Sequence, residues 1–302
     1  DRDYYFKEGE REENIRQKYR VHLAKMMQLA GFAPDEETAK AQASAIYDLE
    51  VSLAKGHWTR VERRDRDKRY NPVTRETLEA RQGGFDWKEF FVQAQVADQT
   101  DFIVGEPSYF DHFEKVFSET SVETWGYYLK WIVVNDLASS MHKVLDEQNF
   151  DFYGRTLAGT PEQKPRWERA VGAVNGMLGE AVGQLYVARH FKPEAKERMV
   201  AMVEQLRGAY ADALAELEWL GDETRSKALE KLKKFRPKIG YPDVWKDYST
   251  LTVKADDLVG NQLGYAAWGW AKDVKRLGGP VDRDEWFMNP QTVNAYYNPP
   301  MN

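Results

Sequence analysis

No cysteine occurs in the 302 residues, which excludes thiolate zinc sites, a catalytic thiol and disulfide staples. Compartment stays open, because an oxidising compartment does not oblige a protein to use disulfides. Histidine is scarce: His22, His57, His112, His142 and His190 are all there are. None lies three or four residues from another, so no helix presents two imidazoles to one metal, and the HExxH pattern is missing. Also missing are GxxxxGK[ST], a GxGxxG run after a strand and a GxSxG elbow. No stretch approaches the roughly 18 uncharged apolar residues of a membrane span, and Asp1-Arg2-Asp3-Tyr4-Tyr5 lacks the layout of a signal peptide. Charge of one sign is not in excess either. Lys and Arg number 43 against 49 Asp and Glu, a net of −6, so nucleic acid and anionic membrane are not expected partners.

What is present suits a globular protein: 42% hydrophobic, 30% charged and 13% aromatic residues, which is ample for unstapled cores. The length corresponds to about two domains or one large one. Helical periodicity dominates. Ile15, Tyr19, Leu23, Met26 and Met27 recur at three- and four-residue steps and stop at Gly31, a C-terminal cap; Asp35 then opens a helix through Ile46, Leu49 and Leu53 to Gly56, and the two should pair as a hairpin. Arg60 to Arg69 carries six basic and three acidic residues. The interleaved acids favour a solvated connector over a basic binding patch.

Thr120-Ser121-Val122-Glu123 is a capping box ahead of a long apolar run from Trp125 to Leu145, which reads as one largely buried helix. Thr160-Pro161-Glu162-Gln163 reads as a second box with proline at the first helical position. In the helix beyond it, Gly172, Gly176, Gly179 and Gly183 share one face, which points to close backbone packing inside the protein rather than to a membrane dimer, because Arg166, Glu168, Arg169 and Glu180 interrupt the segment. Met199, Val203, Leu206, Tyr210, Ala213 and Leu217 form a coiled-coil-like seam expected to pack within a helical domain. Asp222 is expected to cap a basic amphipathic helix ending near Phe235, and a further helix spans about Ala255 to Leu277. The acidic pairs Glu36/Glu37 and Asp256/Asp257 fall at helix starts, where carboxylates complement the helix dipole.

The only strand-like run is Val293-Asn294-Ala295-Tyr296-Tyr297, after which the chain stops without a cap or closing helix, as a truncated chain would. It is also the only segment that invites a functional reading. Asn294 both donates and accepts hydrogen bonds, and small Ala295 leaves the backbone accessible, so an extended peptide could add alongside. An ordinary sheet strand is the simpler reading on these grounds alone.

Several colinear blocks narrow the choice. Asp3-Tyr4-Tyr5, Asn71-Pro72, Tyr153-Gly154, Val174-Asn175-Gly176 beside Trp167, Ala181-Val182-Gly183-Gln184-Leu185-Tyr186-Val187, Lys238-Ile239-Gly240-Tyr241-Pro242-Asp243, Val281-Asp282-Arg283-Asp284-Glu285-Trp286 and Val293-Asn294-Ala295-Tyr296-Tyr297 together resemble the neprilysin and endothelin-converting-enzyme family of zinc metallopeptidases. The resemblance covers nearly the whole chain, and the absence of cysteine is more similar to a bacterial member than to disulfide-rich animal ectodomains.

The resemblance implies a mainly α protein: residues 1–250 as a helical cap lobe, and 251–302 as the crossover helix and first substrate-binding strand of a thermolysin-like lobe. It implies that Asn294 and Ala295 bind substrate backbone and that peptides are the substrates. It also implies that zinc and the catalytic residues lie in a C-terminal portion that this chain does not include, so that the chain alone should be inactive. A periplasmic or secreted bacterial setting fits. The rival reading is a non-catalytic helical scaffold or peptide-binding module.

Overall fold

The computed structural model describes residues 2–298. Helix dominates, as the periodicity predicts, and the only sheet among the described residues is a two-stranded antiparallel ribbon. The chain divides into two compact units, residues 1–163 with 256–259, and residues 164–255 with 260–302.

In the first unit, α1 (Asp3–Phe6) precedes α2 (Glu10–Leu29) and α3 (Glu36–Gly56), which pack on each other. Their ends follow local chemistry. Gly31 takes a left-handed φ of 77° while the Phe32 amide bonds back to the Met27 carbonyl (2.9 Å), closing α2. Asp35 accepts the Thr38 amide at 2.7 Å and opens α3. The ribbon pairs β1 (Asn71–Thr74) with β2 (Asp101–Val104) in the register Asn71 to Val104. Around it lie α4 (Arg75–Glu79), α5 (Trp87–Gln93) and α6 (Pro107–Glu119), followed by α7 (Val122–Leu137) and α8 (Lys143–Phe150). The Arg60–Arg69 connector is exposed, apart from half-buried Glu62, and carries only a 3₁₀ turn.

The main core gathers Leu23, Met26, Met27, Ile46 and Trp131. It contains a polar knot. The Glu50 carboxylate accepts from Tyr5 Oη (3.0 Å), Tyr19 Oη (3.0 Å) and Trp131 Nε1 (3.2 Å). Burial raises the Glu50 carboxyl above its ordinary range, opposed by those three donors. Beside it, His22 is fully buried between Phe152 (4.9 Å, stacked) and Trp131 (5.5 Å, the rings nearly perpendicular). Burial lowers the His22 imidazole from 6.5 to about 4.

That shift sets a pH dependence. With a depressed folded-state pKa, native His22 binds fewer protons than unfolded chain between pH 6.5 and 4, so its contribution is intact above 6.5 and is lost as pH falls to 4, by about 3 kcal/mol. Glu50 acts in the opposite sense, since its raised carboxyl favours the fold at low pH. Comparison with a variant isolates the histidine: in His22→Gln, unfolding by urea at pH 7 and pH 4.5 should differ by clearly less than in the parent. An unchanged difference would remove His22 as the cause.

Two local expectations are corrected here. The apolar run from Trp125 to Leu145 is not one helix: α7 ends at Leu137, tightens into a 3₁₀ turn over Ala138–Ser140 and restarts as α8 at Lys143. Ser139 and Ser140 are weak helix-interior residues that compete for their own backbone, which accounts for the break. Thr160 does not open a helix either. Pro165 falls where the interior of that helix would be, and helix resumes only at Arg166.

The second unit holds α9 (Arg166–His190), α10 (Pro193–Glu216), α11 (Asp222–Lys234) and α12 (Leu258–Arg276). Asp222 is the first residue of α11 rather than its cap, a position taken by Gly221. The seam on α10 is only partly covered among the described residues: no residue of that helix is buried, Val203 and Leu217 are half-buried, and Leu206 and Tyr210 are exposed. The Val293–Tyr297 run has no strand partner among the described residues.

Candidate substrate-binding segment

The segment carrying Asn294 and Ala295 is held in place from α9. That helix kinks at Leu178, whose φ of −120° and ψ of 31° are not helical. Just beyond it, Gly179 and Gly183 meet the returning chain. A Cβ on Gly179 would stand 2.1 Å from Asn289 Nδ2, and one on Gly183 would stand 2.8 Å from Pro290 Cδ, so neither position accepts a side chain unless its neighbour shifts. Gln291 Nε2 donates to the Gly179 carbonyl and to Asn175 Oδ1, each at 3.0 Å, and Asn289 Nδ2 donates to the Asn175 carbonyl at 3.2 Å. The glycine face predicted from spacing is thus half used. Gly172 and Gly176 face open space.

From that anchor the chain runs outward. The Asn294 amide bonds the Thr292 carbonyl (3.1 Å), and the Ala295 amide donates to Asn294 Oδ1 (2.8 Å). Thr292 to Tyr297 are exposed, Val293 completely so. Both predicted residues border a cavity of about 580 Å³ within this unit, whose apolar lining includes Phe191, Met199, Val203, Phe235, Trp286 and Phe287. Tyr297 stacks on Phe235 with centroids 5.7 Å apart.

The charged residues that line the cavity are cations: Arg236, Lys238 and Arg283. Arg236 pairs with Asp284 at 2.7 Å, and Lys238 donates to the Glu285 carbonyl. Among the described residues, no Asp, Glu or His lines the cavity. It offers main-chain groups, amide side chains and apolar surface.

The sequence reading missed the anchor and the lining. Asn175, Asn289 and Phe235 come from three separate stretches, and only Asn175 stands in a block quoted for the resemblance. His57 and His112 have separate polar partners. His57 Nδ1 lies 3.3 Å from Glu106 and stacks on Tyr109, while His112 Nε2 contacts the Ser52 carbonyl.

Comparison with known proteins places the fold. The model of peptidase family M13, in its N-terminal part, matches residues 1–242. The chain belongs to this family. It is 40% identical to the zinc metalloprotease Zmp1 of Mycobacterium tuberculosis, solved with an inhibitor, and superposes with a TM-score of 0.89 over 99% of this chain and 45% of that one. PepO from Lactobacillus rhamnosis HN001 is 26% identical, with a TM-score of 0.89, over 99% of this chain and 47% of that one. Mouse membrane metallo-endopeptidase-like 1 is 27% identical along the whole of this chain and 42% of its own length. The M13 chain thus spans about two fifths of the curated relatives it matches. The family is one of zinc metallopeptidases, but among the described residues no group of three or more His, Cys, Asp or Glu could hold a metal ion.

Proposed function

We propose that this M13 chain is the N-terminal, non-catalytic portion of a neprilysin-like zinc endopeptidase that hydrolyses small peptides, and that it positions the substrate. Residues 1–250 supply the helical wall of the substrate chamber, and 251–302 cross toward the catalytic lobe. Asn294 and Ala295 bind the backbone of an extended peptide by strand addition. Zinc and the residues that activate water come from the C-terminal portion, which is this chain's partner. The bacterial solved relatives support a periplasmic or secreted setting.

The observation that carries this reading is the state of Asn294–Ala295 in a confirmed M13 chain. The pair is exposed, lacks a sheet partner among the described residues and borders an apolar cavity. With Asn294 Oδ1 already engaged by the Ala295 amide, the Nδ2 group is the donor left for a substrate carbonyl. In the complete peptidase, Asn294→Ala should lower kcat/KM by on the order of 1–3 kcal/mol, roughly 5- to 150-fold. The loss should be similar for peptides differing in side chains, with zinc content unchanged. Parental kinetics in a folded, zinc-loaded variant would end this assignment.

A further inference from the structure

Interleaved acids make the Arg60–Arg69 connector read as merely solvated in sequence, but the folded connector uses most of those acids itself. The Glu62 carboxylate accepts from the Thr59 amide (2.9 Å) and hydroxyl (2.8 Å) and pairs with Lys68 Nζ at 2.8 Å. Asp65 Oδ1 accepts the Lys68 amide at 3.0 Å. Two of the bases are engaged as well: Lys68 also lies over the Trp58 ring (4.4 Å), and Arg63 pairs with Glu106 at 3.1 Å. Arg60, Arg64, Arg66 and Arg69 are exposed and pair with no carboxylate among the described residues. Against these four guanidiniums the connector leaves one carboxylate unengaged, that of Asp67.

The connector is fastened at both ends. Trp58 Nε1 donates to Ser108 Oγ on α6 (2.8 Å), while Asn71 Nδ2 donates to the Lys68 carbonyl (2.8 Å) and to the Val104 carbonyl (3.0 Å), tying the connector to the ribbon. Arg69 runs beside Gly105, where a Cβ would stand 3.6 Å from its Nε. The arginines therefore meet the end of the ribbon at which Pro72 and Ile103 are cross-strand partners, both exposed. Tyr70 precedes Pro72 by two residues. Ile103 is 61% exposed, Tyr70 64% and, within the connector, Val61 76%. The carboxylate of the ribbon, Asp101, stands opposite Thr74 at the other end.

We infer that the connector and the adjoining end of the ribbon form a peripheral docking surface for an anionic phospholipid bilayer, with the arginines on lipid phosphates and Val61, Tyr70 and Ile103 reaching beneath them. A guanidinium fork matches phosphate with two parallel hydrogen bonds, and basic side chains held near an anionic bilayer add their attractions. Aliphatic and tyrosyl tips set among such bases suit the boundary between headgroups and acyl chains. Nucleic acid or another soluble polyphosphate would satisfy the arginines but leave Val61, Pro72 and Ile103 in water, so a bilayer is the occupant that uses both halves of the patch. The connector is basic within a chain of net −6, so the rest of the surface is net negative and the attraction is local to this end of the first unit. The inference does not depend on the roles proposed for Asn294 and Ala295.

Cosedimentation of the complete peptidase with lipid vesicles tests this. Vesicles of phosphatidylglycerol and phosphatidylcholine should bind the parent at least ~10-fold more tightly than phosphatidylcholine alone, and the preference should fade as salt rises from about 0.1 M to about 0.5 M. Arg64→Gln with Arg66→Gln should weaken that binding roughly 20-fold, and Val61→Ser with Ile103→Thr roughly 5-fold. Both variants should keep the parental circular dichroism. Equal binding of the parent to the two kinds of vesicle overturns the inference, as does parental binding in the arginine variant. Parental binding after Val61→Ser with Ile103→Thr overturns it too, and displacement by polyphosphate would then assign the arginines to a soluble polyanion. A peptidase that binds the anionic vesicles but cleaves no peptide leaves the inference standing and removes the proposed function instead.

Discussion

Replacing Trp131 by alanine is expected to destabilise the first unit by about 3–5 kcal/mol, the range for removing a large buried aromatic. The indole is 1% exposed and sits where α2, α3 and α7 converge. Its ring makes edge-to-face contacts with Tyr19 and His22, and its Nε1 donates to Glu50. Alanine therefore opens a cavity and also strips one of three donors from a buried carboxylate, and the second loss adds to the first. Trp131→Phe separates them: most of the packing stays, the donor goes, and about 1–2 kcal/mol is expected. Urea unfolding followed by near-ultraviolet circular dichroism, with exchange of residues 10–56 as the local readout, gives both values. A loss below 1 kcal/mol in the alanine variant would mean that this cluster is not the core of the unit.

The second large effect concerns Ala295. Proline there removes the amide that now bonds Asn294 Oδ1 and restricts the backbone of Asn294 before it. The loss takes away a strand donor and misorients the amide side chain proposed to meet the substrate. In the complete peptidase kcat/KM should fall by at least about 100-fold, equivalent to ~3 kcal/mol, whatever the peptide sequence. Ala295→Gly keeps the amide and should cost far less. Equal effects of proline and glycine would show that the Ala295 amide plays no part in orienting a substrate.

The parts of the fold that were legible in the sequence are those decided by neighbours a few residues apart. Gly31 and Asp35 mark the turn between α2 and α3 because a left-handed C-cap and a carboxylate N-cap are local requirements. Thr160 misled for a local reason too, since Pro165 overrides a capping box that is otherwise well formed. Periodicity shows that α10 has an apolar face but not how far it is covered: Val203 and Leu217 are half-buried, whereas Leu206 and Tyr210 are exposed. The spacing of the glycines on α9 defines a face, whereas the choice of Gly179 and Gly183 for contact depends on the kink at Leu178 and on Asn289 and Pro290, more than a hundred residues away.

The candidate site divides along the same line. Asn294 and Ala295 could be named because a resemblance singled them out, and the structure adds that they border a cavity. Phe191, Phe235 and Phe287 stand in none of the quoted blocks, and only tertiary folding brings them together. Chemistry that depends on distant chain segments leaves little trace in residue spacing, so the pair proposed to bind backbone could be named while most of its apolar surroundings could not.

Zinc stoichiometry measured together with peptide cleavage, on the purified 302-residue chain and on the complete peptidase, tests the central assignment most directly. The account predicts no stoichiometric zinc and no cleavage for the chain alone, and about one zinc per molecule with chelator-sensitive cleavage for the complete protein. Chelator-resistant cleavage by the 302 residues themselves, or a complete protein that neither binds zinc nor cuts peptides, would contradict it.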